Sequence, residues 1–175
     1  MQEKGRTKYL ILGLLAEGPL SGYDIRHITL ARFRFFWSES FGQIYPCLKQ
    51  LEAEGLIRKE ATEGRGKTTW TLEDCGRQAL LSWLAGQAQP ETARMEAVLK
   101  YYFSSMMDVA DRRRLLREFQ DRQEANLAEL EAFRDELLRI PDPHNNHGLA
   151  LDTIELGIAT YRAWREWAEA RLQRT

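Results

Sequence analysis

The sequence predicts a mainly α-helical fold with one small β-hairpin, arranged in two parts. Three observations carry that prediction. Apolar residues recur at three- and four-residue spacing through most of the 175-residue chain. Two β-prone runs, at 56–61 and 68–72, flank the stretch Thr62-Glu63-Gly64-Arg65-Gly66-Lys67, as the strands of a hairpin flank its loop. The polar stretch Gly86-Gln87-Ala88-Gln89-Pro90 then separates short, glycine-punctuated elements from long helical ones. The boundary falls at residue 88, giving segments 1–88 and 89–175.

In the first segment, Leu10, Ile11, Leu14 and Leu15 predict a helix over 6–17, stopped by Gly18-Pro19. Ser21 is an N-cap for a second helix from Gly22 to about Arg34, with Ile25, Ile28 and Phe33 facing inward. Ser40 caps a third helix reaching Glu54. Phe41, Ile44, Leu48 and Leu51 form its apolar stripe, and Gly55 ends it. Pro46 fits only if that helix begins near Gly42, because deeper in a helix it would cost about 3 kcal/mol. A fourth helix, 74–85, follows the hairpin and carries Leu80, Leu81, Trp83 and Leu84.

Three helices, a hairpin and a helix are the order of a winged helix-turn-helix. Helix three then turns Gln43, Pro46, Lys49 and Gln50 outward, with Tyr45 at the edge. Glutamine and lysine are side chains that read base edges or hold phosphates. Gln43 lies where such a helix enters the major groove and is assigned base reading, with Tyr45 beside it. Lys49 is assigned to phosphate, as are Arg65 and Lys67 at the hairpin tip. Tyr23 and Ser40 are neutral phosphate donors. Taken singly, a polar helix face or a basic turn is ordinary surface; their coincidence at the contact positions of a winged helix carries the assignment.

The second segment predicts three helices. The first spans 92–107, with Met95, Val98, Leu99, Tyr102, Phe103 and Met106 as a packed stripe. The second starts after an Asp108 cap and runs to about Arg139. Its residues Leu116, Phe119, Gln123, Leu127, Leu130, Phe133 and Leu137 approximate a heptad seam. The third spans 149–172 with Ile154, Ile158, Tyr161 and Trp164. A 30-residue amphipathic helix in so small a domain predicts a partner subunit to cover the seam. The segment therefore reads as an antiparallel, coiled-coil-like three-helix dimerisation domain.

Charge is divided between the segments. Residues 1–86 hold 12 Lys/Arg and 10 Asp/Glu, net +2; residues 87–175 hold 13 and 16, net −3. No apolar run approaches the roughly 20 residues that span a bilayer, and Met1–Lys8 is polar without a signal-peptide core. These readings place the protein in the cytoplasm. Cys47 and Cys75 fit neither a disulfide framework nor a zinc pattern, and Cys47 reads as a small core residue. No catalytic grouping, phosphate-binding glycine loop or cofactor motif is present. His144, His147 and Asp142 share a loop, where a capped turn is the simpler reading than a metal site.

The segment Gly18-Pro19-Leu20-Ser21-Gly22-Tyr23-Asp24-Ile25 resembles the helix-two entry of PadR-type transcriptional regulators. Gly42-Gln43-Ile44-Tyr45-Pro46, followed by Leu48, Leu51-Glu52 and Gly55-Leu56-Ile57, resembles their recognition-helix segment. Trp70-Thr71-Leu72 with Gly76 resembles the return from the wing. The likeness covers about residues 7–86, and the second segment is similar in style to the long branch of the family. It departs at Trp70, where the family usually has Tyr, and at Glu73, where it usually has Thr. Thr71 through Asp74 offers a Thr-x-x-Asp capping box as a substitute. The resemblance implies a homodimer on double-stranded operator DNA, repressing transcription and released by an aromatic or drug-like effector. Phe36, Trp37, Tyr102, Tyr161 and Trp164 are the effector-site candidates among five Trp, six Tyr and seven Phe. A winged helix used as a protein-interaction module is the alternative, and would not need the basic helix-and-wing pair.

Overall fold

The computed structural model describes residues 6–37, 41–60, 68–90, 94–143 and 146–174, in two compact units, Met1–Pro90 and Glu91–Thr175. In chain order the elements of the first unit are α1 (Thr7–Glu17), α2 (Gly22–Arg32), α3 (Ile44–Ala53), β1 (Ile57–Glu60), β2 (Thr69–Leu72) and α4 (Asp74–Leu84).

Helix α1 is the centre of this unit. It packs on α3, α4 and β2 and buries Ile11, Leu12, Leu14 and Leu15. Ile25 from α2, Ile44, Leu48 and Leu51 from α3, Ile57, Trp70 and Leu80 complete the core. Helix α2 starts with a full capping box. The Ser21 hydroxyl accepts the Asp24 N–H, and the Asp24 carboxylate accepts the Ser21 N–H and hydroxyl at 3.1 and 2.8 Å. The helix ends at Arg32, two residues before the expected end, and Phe33–Phe36 form a turn.

The third helix is also shorter than expected. A 3-10 turn, Phe41–Gln43, precedes α3, so Pro46 lies in the first helical turn, where its missing N–H has no intrahelical acceptor to lose. Ser40, the expected cap, lies outside the described residues. At the other end Gly55 takes φ 69°. Its N–H meets Glu52 O and the Leu56 N–H meets Leu51 O, both at 3.0 Å, a Schellman termination that delivers the chain into β1.

Strands β1 and β2 pair antiparallel in the register Ile57↔Leu72, Arg58↔Thr71, Lys59↔Trp70 and Glu60↔Thr69. Leu20 bridges to the other side of Trp70, tying the entry to α2 onto the hairpin. Glu73 stands at the N-cap of α4, and no Thr71 capping box forms. The Thr71 hydroxyl is buried without a partner among the described residues, and the Glu73 carboxylate accepts from Arg58 instead of capping. Of the apolar residues on α4, Leu80 is buried, whereas Leu81, Trp83 and Leu84 are exposed. Trp83 stacks flat on Tyr9, with ring centres 4.7 Å apart.

The second unit holds α5 (Glu96–Tyr102), α6 (Val109–Leu137) and α7 (His147–Leu172). The helix expected over 92–107 is broken. Residues 91–93 are not described, Met95 is extended, and after Tyr102 the chain turns through a 3-10 segment, Ser104–Met106. Asp108 caps α6 by accepting the Asp111 N–H, and the extended Met107 that leads into this cap prevents one continuous helix. The expected packed stripe of α5 is instead largely exposed, with Met106 at 91%.

The α6 seam also departs from expectation. Leu116, Phe119, Gln123, Leu127, Leu130 and Leu137 are buried, but by α7 of the same chain. The two helices run antiparallel. Arg113 donates to Leu172 O, Phe119 meets the Trp167 ring, Glu131 pairs with Arg162, and Arg134 with Glu155. The seam therefore needs no second subunit to cover it. Asp142 closes the connecting loop by accepting the N–H groups of Asn146 and His147, which is the capped turn expected there; His144 lies outside the described residues.

Candidate nucleic-acid interface

One face of the first unit gathers the N-terminus of α2, the outer side of α3 and the hairpin. Ser21, Gly22, Tyr23, Tyr45, Lys49, Lys59, Thr68 and Trp70 line a shallow open groove of about 350 Å³ there. The structure thus brings together three of the expected DNA-contacting residues, Tyr23, Tyr45 and Lys49. Both tyrosines are more than half exposed, as a contact surface requires.

Gly22 and Tyr45 set the form of this face. A Cβ on Gly22 would stand 2.6 Å from Tyr45 Cε1 and 2.9 Å from Cζ. The Tyr45 ring therefore lies directly on the first turn of α2, a position open to it because residue 22 has no side chain.

Gln43 sits at the N-cap of α3 and is half-buried. Its amide makes no capping bond, so it is not spent on the helix end. Gln50, also on the outer face, donates to the Glu54 carboxylate at 2.7 Å. That bond first, and Lys8 second, hold the Glu54 carboxyl below the usual carboxylate range. Arg58, on the outer surface of β1, is bound by Glu73 at 2.9 Å and Glu60 at 3.1 Å, which raises its pKa. Arg65 and Lys67 lie outside the described residues, as do Gly64 and Gly66. Lys59 is the contact candidate that sequence reasoning missed. Its signal was the register: a residue opposite a core tryptophan must face the same side of the hairpin as that tryptophan.

The effector candidates fall in both units. In the first, Phe36 is half exposed and meets Phe33 and Phe35 edge-on, while Trp37 is half-buried with its indole N–H unpartnered among the described residues. In the second, Tyr161 and Trp164 are half-buried and edge-to-face at 5.5 Å, and Tyr102 is exposed against Phe103. Trp167 joins Tyr101 and Phe119 in the packing between helices. Cys47 is half-buried and Cys75 exposed, so Cys47 is less enclosed than its place in α3 led us to expect.

A helix-turn-helix backed by a β-hairpin wing, with a basic face at their junction and a separate helical unit, defines a winged-helix, DNA-binding transcriptional regulator. Residues 11–82 match the transcriptional regulator PadR-like family, and residues 93–174 match the virulence activator alpha C-terminal family. The negative transcriptional regulator PadR of Bacillus subtilis (strain 168) is 39% identical over 169 residues, covering 91% of this chain and 93% of that protein. The crystal structure of B. subtilis PadR in complex with operator DNA superposes with a TM-score of 0.85 at 32% identity, covering 98% of each chain. The structure of the same protein in complex with p-coumaric acid gives 0.78 at 32% identity, covering 98% and 96%. This chain belongs to the PadR-like family of transcriptional regulators.

Among the described residues, no helix is long and apolar enough to cross a membrane, and no cluster of three or more His, Cys, Asp or Glu could hold a metal ion.

Proposed function

We propose that the protein is a homodimeric, cytoplasmic repressor that binds a specific double-stranded operator through residues 1–88 and dimerises through residues 89–175. An aromatic small molecule releases it from DNA, and it has no enzymatic activity. The junction of α2, α3 and the hairpin, where Tyr23, Tyr45 and Lys49 share one groove, carries the DNA-binding part. The relatives bound to operator DNA and to p-coumaric acid support the repressor and effector parts. The exposed apolar residues Leu99, Tyr102, Phe103 and Met106 supply a surface for the second subunit.

Gln43 reads a base edge and Lys49 holds a phosphate, with Arg65 and Lys67 at the wing tip and Ser40 and Tyr23 as neutral donors. Gln43→Ala should cost about 1–3 kcal/mol on the operator and relax preference at one base pair per half-site. Fluorescence anisotropy on operator and scrambled duplexes measures both. Equal weakening on the two DNAs would show that Gln43 does not read sequence. A regulator that binds only protein would show no salt-dependent affinity for its own upstream DNA.

Gly22→Ala separates fold from function. Alanine gains about 0.5–1 kcal/mol over glycine within a helix, and the displaced atoms are the mobile end of an exposed tyrosine. Thermal stability should therefore stay nearly constant. Operator affinity should fall about tenfold, equivalent to roughly 1.4 kcal/mol, because the Tyr45 ring has lost its place. Calorimetry and anisotropy on the same sample test this; unchanged affinity would remove Tyr45 from the interface.

A further inference from the structure

We propose that Lys59 of β1 and Lys49 of α3 form a shared seat for one phosphate of the DNA backbone at the junction of recognition helix and wing, an inference that rests on the DNA-binding reading above. Cross-strand pairing puts Lys59 opposite Trp70, so both side chains leave the same face of the hairpin. Ile57, two residues earlier on that face, is buried in the core beside α3, which fixes the direction in which the face points. Arg58 and Glu60 leave the opposite face and bind each other. The strand thus sends one cation outward to be neutralised and the next toward α3.

There Lys59 and Lys49 line one groove, together with Tyr23, Tyr45 and Thr68. Elsewhere in the unit, Lys8 is paired with Glu54, Arg32 with Glu17, and Arg58 with Glu60 and Glu73. Lys49 and Lys59 have no ion pair among the described residues. The nearby Asp24 carboxylate is engaged by Ser21 and offsets the positive end of α2, so the lysines rather than the helix terminus supply the attraction. Two like charges converging on an open groove rimmed by tyrosine and threonine hydroxyls suit an anion with several acceptor oxygens. A backbone phosphate meets that description, and it runs where a recognition helix and its wing flank the duplex.

The test uses the full chain with Lys59→Gln, Lys49→Gln and the double variant on operator and scrambled duplexes across a salt series. Lys59→Gln should weaken both DNAs by the same factor, about threefold to tenfold, and Lys59→Arg should restore binding. The double variant should flatten the slope of log affinity against log salt by about two in all, one phosphate per subunit of a dimer. A loss of about four would mean two separate phosphates and overturn the shared seat. Unchanged affinity of Lys59→Gln on both duplexes would exclude Lys59 from the backbone. If inorganic phosphate at constant ionic strength shifts the Tyr45 resonances while no variant alters the DNA slope, the groove serves a free anion and the inference fails. Wild-type binding without preference for the operator would instead count against the specific-regulator reading, with the slopes still deciding the seat.

Discussion

Gly76→Ala is expected to lower the stability of the first unit by about 3 kcal/mol, at the upper end of what overpacking costs. Gly76 is buried in the first turn of α4, against Leu56, which joins α3 to β1, and Leu72 at the end of β2. An added Cβ would collide with the carbonyl oxygen of Leu56 and stand 2.8 Å from Leu72 Cδ1. The Leu56 carbonyl cannot yield, because it accepts the N–H of Glu73 while the Leu56 N–H is held by Leu51 in the termination of α3. One methyl group thus presses on backbone fixed from both sides. A contribution from helix propensity of at most about 1 kcal/mol in favour of alanine does not offset this. The thermal midpoint should fall by roughly 10 °C or more. A fall of less than 3 °C would mean that α4 can slide outward, and that its contact with the hairpin is softer than described.

The second large effect is expected from separating the units. A fragment ending at Pro90 keeps the whole core cluster from Ile11 to Leu80 and should retain its helical signal and a cooperative melt. It lacks the proposed dimerisation unit, so each half-site must be bound independently. Removing the link between two binding modules forfeits their effective concentration, and operator affinity should fall by about 10²- to 10⁴-fold. Light scattering and anisotropy measure the two consequences. A fragment as dimeric as the full chain would overturn the assignment of dimerisation to the second unit.

Local chemistry made much of this molecule legible. Ser21 announces the start of α2, Gly55 the end of α3, and Ile44, Leu48 and Leu51 the buried side of α3, because each depends on neighbours within a turn or two. The same spacing marked Lys49 and Tyr45 as outward-facing. What escaped depended on distant parts of the chain. The run from 92 to 107 is helical in period, yet the chain turns at Phe103 to enter a cap at Asp108. The seam of α6 is periodic whether a partner subunit or α7 covers it, since periodicity records that a face is buried and not what buries it. Lys59 was hidden for a related reason. Its direction is set by its pairing with Trp70, which lies across the hairpin loop.

The closure of α6 upon α7 has a consequence for how the proposed repressor behaves in the cell. In each subunit the seam between the two long helices is already covered before the subunit meets its companion, while the apolar residues of α5 stay open. Were folding and assembly separate events, subunits would trade companions by parting at their shared surface without unfolding. Occupancy of the operator would follow the abundance of the protein itself, so a repressor acting on its own promoter would sense its own supply through association alone.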